Sequence, residues 1–276
     1  MGLRIYNNVE AANAHRVLNN TNNALSKSME RLSSGLRINR AADDAAGLAV
    51  SEVMRSQIRG MGVAQRNAQD GVSMVQVADG ALGNVGDMLQ RVRDLAVQAS
   101  NGTLTDSQRG NLDAEVQQIL TEINKTGTDT EFNGIAILSG AVSTGASAVT
   151  LQVGANGGQE IAFTIGEVST SALTLASGGV STAAAASAAI AAIDTAIGAV
   201  TTERANLGAV QNRLEQTINR LGLTSENLQA AESRIRDADM AAEMISFTKN
   251  QILQQSGMAM LSQANAAPQS VLSLLR

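Results

Sequence analysis

Few residues in this 276-residue chain could do chemistry. The one histidine, His15, stands among helically spaced residues near the N-terminus. A metal centre or general base needs converging ligands, and the chain has no second histidine and no cysteine. His15 is therefore read as a surface or interface residue. Asp43-Asp44 has the form of a catalytic carboxylate pair, but beside Arg37 and Arg40 it is more simply an ion-pair cluster in a bridge or between subunits. Gly80, Gly83 and Gly86 lack the Lys-Ser/Thr of a phosphate loop and predict helix packing instead. Asn101-Gly102-Thr103 fits the N-glycosylation pattern, which is short enough to arise by chance. These residues point to no catalytic centre, no cofactor and no metal.

Charge narrows the partners. A net charge of −5 and a pI near 5.0 argue against nucleic acid. From Thr126 to Glu203 there is neither Lys nor Arg, and the whole chain has three lysines, Lys27, Lys125 and Lys249. The arginine bias suits charged faces that become interfaces, because guanidinium makes forked bonds to carboxylates; GC-rich codon usage would produce it equally well. The four aromatic residues, Tyr6, Phe132, Phe163 and Phe247, cannot anchor a wide core. Ala, Leu, Val and Ile suit slender helix pairs. No stretch approaches about 20 consecutive apolar residues, so no membrane span is expected. The start, MGLRIYNNVEAANAHRV, has no secretory h-region, so export would use another route.

The elements that position these residues are long helices. Ala11, Leu18, Leu25 and Leu32 recur every seven residues, with Ala14, Thr21 and Ser28 three places on, giving a coiled-coil seam over a first helix from about Asn7 to Ser33. Gly35 favours its C-cap. Leu36 to Asp44 reads as a charged bridge, and a second helix follows from Ala45 towards Ser100. Its glycines, Gly60, Gly62, Gly71, Gly80, Gly83 and Gly86, predict close approach of other helices. Thr105-Asp106-Ser107-Gln108 is a capping box for a third helix with Leu112, Val116, Ile119, Leu120 and Ile123 on one face.

Beyond that helix the pattern changes period. Phe132-Asn133-Gly134 is a turn, then Val149, Leu151, Val153 and Ile161, Phe163, Ile165 alternate around Asn156-Gly157-Gly158, a hairpin signal. Ser169 to Thr182 is expected to be an exposed Ser/Thr/Gly-rich segment. Ala183 opens a long helix with Ile190, Ile193, Ile197 and Val200 on one stripe, leading into a C-terminal seam of Leu214, Leu221, Leu228, Ile235 and Ala242, with Ala231, Ala238, Ile245 and Ile252 in the companion row. Pro268 is expected to start a short terminal helix bearing Val271, Leu272 and Leu275.

Glu30 to Glu52, ERLSSGLRINRAADDAAGLAVSE, closely resembles the N-terminal signature of bacterial flagellins. Leu89 to Leu104, Phe132 to Gly140, Ala230 to Met244 and Met260 to Arg276 match further family blocks, so the likeness covers essentially the whole chain. It implies a mainly α fold, in which long antiparallel helices form a terminal coiled coil and an inner helical bundle with a small β-hairpin region. The expected domains are 1–44 plus 235–276, the coiled coil with bridge segments, and 45–234, the bundle including a hairpin and loop at 135–182. The short distance from the Phe132 turn to the alanine-rich helix leaves no room for large outer domains. The absence of H-E-x-x-H separates the chain from protease-bearing flagellins.

The resemblance further implies a structural subunit of the flagellar filament, exported by the flagellar type III apparatus and self-assembling into an extracellular helical tube for motility. Implied partners are other copies of the chain, an export chaperone, the hook-associated junction and cap proteins, and toll-like receptor 5 of a host. Assembly seams are expected at Leu18, Leu25, Leu32, Ile245, Ile252, Leu272 and Leu275. By resemblance, receptor contacts fall on Gln90, Arg91, Leu95 and Glu115, with Asp94 where the family usually has glutamate. Ser143, Thr144, Ser169, Thr170 and Ser171 are candidate O-glycosylation sites. Alternative readings are a hook-filament junction protein and a secreted ligand or adhesin.

Overall fold

The computed structural model describes residues 8–140, 142, 148–175 and 179–274, with side chains described as far as Ala266. Ser143, Thr144 and Leu275, and the side chain of Leu272, lie outside the described residues. The elements are α1 (Val9–Ser34), α2 (Ala45–Ala99), α3 (Asp106–Asp129), β1 (Glu131–Phe132), β2 (Ile135–Ala136), β3 (Val149–Gln152), β4 (Glu160–Phe163), α4 (Ala183–Arg236) and α5 (Met240–Leu274). The fold is mainly α with two small antiparallel sheets, as the sequence predicts. The chain divides into two compact units, Met1–Ser56 with Asn227–Arg276, and Gln57–Glu226.

In the first unit α1 starts at Asn8, whose side chain accepts from the Ala11 N–H at 3.0 Å, and stops at Gly35 with φ +72°, a left-handed cap that glycine adopts without steric cost. The bridge after Gly35 is pinned: Arg37 N–H donates to the Arg236 carbonyl, Ala238 N–H to the Gly35 carbonyl, and Leu36 pairs with Asp237. The expected C-terminal row is broken here. Residues 237–239 separate α4 from α5, and Asp239 caps α5 by accepting from Ala241 and Ala242 at 2.9 and 3.2 Å. That interruption resets the helical phase, so Leu228 and Ile235 are not in register with Ile245 and Ile252. No break occurs at Pro268, since α5 runs from Met240 to Leu274. A proline inside a helix removes one backbone bond and can kink a helix without ending it.

The second unit holds the core. Ala68, Val75, Leu82, Leu89 and Ala96, with Ala78, Val85, Val92 and Ala99, form a buried 3-4 repeat along α2. Ala186, Ala189, Ile193, Ala196, Val200, Leu207, Leu214 and Leu221 do the same along α4, so Leu214 and Leu221 belong to this unit and not to the terminal seam. Alanines share the stripe with Ile193 and Val200, while Ile190 and Ile197 sit half-buried at its edge. α4 is also long and apolar enough in composition to cross a membrane, contrary to the expectation from sequence; its apolar character comes from the alanine run that helps form this core. α3 contributes Val116, Leu120 and Ile123, and its capping box has both Thr105 and Gln108 bonds in place.

The glycines of α2 do not behave as a group. Gly71 is buried under Leu151 of β3, where any side chain would collide, and Gly60 faces Ala155. Gly62, Gly80 and Gly86 face open space, so close packing accounts for only part of the run. The Phe132 turn closes a two-residue hairpin, Asn133 and Gly134 both having positive φ, as a type I′ turn requires. β3 and β4 pair as expected, Leu151 opposite Ile161 and Val149 opposite Phe163. Ser169 to Thr182 is not simply exposed: Leu173, Leu175 and Val180 are buried. Side chains on α3 and α4 hold the surrounding chain by its backbone N–H groups, Glu203 accepting from Gly166, Asn124 from Thr170 and Asp113 from Val180.

Candidate functional site

Antiparallel pairing of α1 with α5 is set by polar bonds. Asn8 Nδ2 donates to the Ala264 carbonyl at 2.8 Å, Gln254 Nε2 to Asn22 Oδ1 at 2.8 Å, and Arg31 lies 3.6 Å from Glu243. On α1 the inward side carries Ala11, Ala14, Leu18, Thr21, Leu25, Ser28 and Leu32, all at least half-buried, which is the row read from sequence. On α5 it carries Glu243, Phe247, Asn250, Gln254, Gly257, Leu261 and Ala264, a 3-4 repeat that a search for apolar residues passes over. Gly257 leaves room for Leu18.

The expected companion row divides: Ala231 and Ala238 are half-buried, and its α5 members face the other way. Ile245 is 71% exposed and Ile252 58%, and Ala242 is exposed with them. With Met244 and Leu253 the two isoleucines line an apolar depression of about 520 Å³. A groove of about 550 Å³ runs between α1 and α5, its walls including Ala14, Val17, Leu253 and Met260. Burying one such Ile gains roughly 1.5–3 kcal/mol, so a helix that leaves both of them in water retains unused association energy.

The bridge holds the charged cluster, with partners different from those expected. Lys27 Nζ lies 2.6 Å from Asp43, and Asp43 Oδ2 also accepts from the Arg40 and Asn39 N–H groups. These donors, with Lys27 foremost, lower the Asp43 carboxyl from its ordinary 3.8 to about 2. Glu30 accepts from Asn39 at 2.6 Å and Arg40 at 2.8 Å, which lowers its pKa too. Asp44 is separate: it accepts from the Gly47 N–H at the start of α2. Arg37 reaches the Ile235 carbonyl and, among the described residues, pairs with no carboxylate. His15 is exposed, 3.2 Å from Asn19, and among the described residues no His/Cys/Asp/Glu cluster could hold a metal.

In the second unit Arg91 of α2 makes a two-pronged contact with Glu115 of α3, Nη2 at 2.6 Å and Nε at 3.1 Å. Gln90 is exposed beside it. Leu95 is placed differently from the exposed contact the resemblance implies: at 2% exposure it belongs to the core. Among the Ser/Thr candidates, Ser169 Oγ accepts from the Ala172 N–H and Thr170 Oγ1 accepts from Asn124, while Ser171 is exposed.

A mainly α protein with hydrogen-bonded terminal helices and outward apolar faces is of the structural, self-associating class. Residues 5–143 match the model of the bacterial flagellin N-terminal helical region, and residues 190–275 that of the bacterial flagellin C-terminal helical region. A flagellin of Halalkalibacterium halodurans is 52% identical over 99% of both chains. The flagellar filament 33 kDa core protein of Treponema phagedenis is 49% identical, again over 99% of each. A crystal structure of Bacillus cereus flagellin shares 34% identity, covering 56% of this chain and 88% of that one with a TM-score of 0.49. The chain belongs to the bacterial flagellins, and it is a structural subunit of the flagellar filament, a homopolymer, and not an enzyme.

Proposed function

We propose that the terminal helices are the part of this subunit that assembly completes, and that folding of the pair is coupled to polymerisation. The observation that carries this is the outward placement of Ile245 and Ile252, while the inward row of α5 mixes Glu243, Asn250, Gln254 and Gly257 with Phe247 and Leu261. Ordering a residue costs on the order of 1–2 kcal/mol in backbone entropy, and a seam in which Asn, Gln, Glu and Gly take up about half of the α5 row returns less of that than an all-apolar one. Neighbouring copies supply the missing apolar contacts. Leu18, Leu25 and Leu32 hold α5 within the chain, Ile245 and Ile252 meet other copies, and Leu272 and Leu275 take part in the same association between copies. The domains follow function: 1–44 with 235–276 for assembly, 45–234 as the body. Deleting Met1 to Ser33, or Pro268 to Arg276, should abolish sedimentable polymer while far-UV circular dichroism shows the second unit still folded. Filaments of normal length from either truncation would refute the proposal.

Around this role the subunit leaves the cell by the flagellar type III route, escorted by an export chaperone, and joins the extracellular filament between hook-associated junction and cap proteins. Full-length similarity to a protein named flagellin and to one named a flagellar filament core protein favours the filament over the junction reading. A second reading, recognition by toll-like receptor 5, rests on the accessible Gln90, Arg91 and Glu115, with Leu95 shaping that surface from beneath. Monomer should activate a receptor reporter and polymer should not. O-linked sugar, if present, falls first on Ser171, since a glycan on Ser169 or Thr170 would displace the bonds their hydroxyls make; intact mass of the tryptic fragment from Thr126 to Arg204 of native filaments reads it directly.

A further inference from the structure

Among the described residues the methionines are unevenly distributed in exposure. Met29, Met240, Met244, Met258 and Met260 are each about half exposed or more, and all five lie on α1 or α5. In the second unit Met74 is buried at 5% exposure, and Met61 and Met88 are half-buried. Met54, on α2, is half-buried too. Two of the exposed five line the apolar depressions themselves: Met244 beside Ile245 and Ile252, and Met260 beside Val17 and Leu253. Their thioethers are open to a small oxidant in the free subunit, and they sit where added polarity would meet apolar neighbours.

We propose that these five methionines are an oxidation site that controls assembly: peroxide converts them to sulfoxides in the free subunit, and the modified subunit folds but does not polymerise. The inference rests on the assembly role of α1 and α5 given above. In the chemical step a sulfur lone pair attacks one oxygen of hydrogen peroxide, the O–O bond breaks, an S–O bond forms, and proton transfer lets the second oxygen leave as water. Sulfur loses two electrons and the peroxide gains them. The product is a polar acceptor in place of a flexible apolar tip. In the bare groove water satisfies that oxygen, whereas against an apolar partner surface nothing does. Buried Met74 is shielded, so the body survives treatment. Assembly in turn shields the five, which makes the site sensitive before incorporation and protected after it.

The test compares full-length monomer, with and without brief treatment by dilute hydrogen peroxide, by tryptic mass mapping and sedimentation after polymerisation is triggered. Sulfoxide should appear first in the peptides Ser28–Arg31, Asp237–Lys249 and Asn250–Arg276, with Met74 unchanged. The treated-to-untreated ratio of sedimentable protein should fall at least fivefold. A variant with all five residues changed to Leu, a volume-conserving replacement, should keep its own ratio near one. Methionine sulfoxide reductases with dithiothreitol should restore assembly of the oxidised wild type, which decides the matter if the Leu variant does not polymerise at all. Unimpaired assembly of fully sulfoxidised monomer would overturn the proposal, as would failure to recover once the masses have reverted, or equal oxidation rates in filament and monomer. Failure of the assembly reading looks different, because a chain lacking Met1 to Ser33, or Pro268 to Arg276, would then form filaments of normal length.

Discussion

The two units use the same 3-4 spacing for opposite ends. In the second unit the repeat of α2 and α4 is apolar and faces inward, from Ala68 to Ala99 and from Ala186 to Leu221. In the first unit the inward repeat of α5 is Glu243, Asn250, Gln254 and Gly257 with two large apolar residues, while Ile245, Ile252 and four methionines face water. Heptad spacing alone therefore says that a helix has a partner, not whether the partner is in the same molecule. Side-chain chemistry decides that. A partly polar inward row fixes register at modest stability, and the apolar outward row reserves the hydrophobic gain for association.

The largest test of this contrast is core truncation. Leu82→Ala should cost about 2–5 kcal/mol in urea unfolding of the monomer, because Leu82 is fully buried. The half-buried Leu25→Ala should cost roughly 1 kcal/mol, since only part of its side chain leaves water on folding. Equal losses would erase the distinction between the units. Next, Ile252→Asp should leave monomer unfolding within about 0.5 kcal/mol of wild type yet raise the critical concentration for polymerisation at least tenfold, about 1.4 kcal/mol. A variant that unfolds easily but still polymerises would place Ile252 in an intrachain seam after all.

Smaller effects are expected from surface charge. Arg91→Ala removes an exposed pair with Glu115 and should change stability by less than about 1 kcal/mol, while a receptor reporter falls several-fold; an unchanged reporter would withdraw the receptor reading. The mildest effect is pH-dependent. The folded carboxyl of Asp43 titrates at about 2, below its ordinary 3.8. Its contribution to holding the bridge is therefore complete above about pH 4 and is lost as pH falls through about 2. Hydrogen exchange at Asn39 and Arg40 should speed up across that window, and Asp43→Asn should remove the dependence. The lowered pKa of Glu30 acts in the same direction.

Much of this was legible in the residues themselves. The Gly35 cap, the Thr105 capping box and the β3–β4 hairpin follow from local chemistry, where the partner is near in sequence, and the α1 row follows from its own apolar spacing although its partner is α5. The core repeat of α2 was hidden because small residues such as Ala78 and Gly71 occupy positions where a pattern search expects Leu. The α5 seam was hidden because Glu243, Asn250, Gln254 and Gly257 interrupt its apolar members Phe247 and Leu261. Their signal was there, a 3-4 spacing of Asn, Gln, Glu and Gly opposite an apolar stripe, but polarity normally marks a solvent face.

By itself the sequence determined the helical class, the family through its terminal signatures, and the ends of most elements, because capping, turn and periodicity rules act within one or two helical turns. The tertiary structure decided which stripe of each helix meets a partner inside the chain. Asp239 starts α5 anew after a three-residue break, and that change of phase turns Gln254 towards Asn22 and Ile252 towards water. It also took Leu95 into the core and tied Thr170 to Asn124. These outcomes depend on contacts between residues far apart in sequence, and local spacing carries no information about which of two available faces a distant helix will cover.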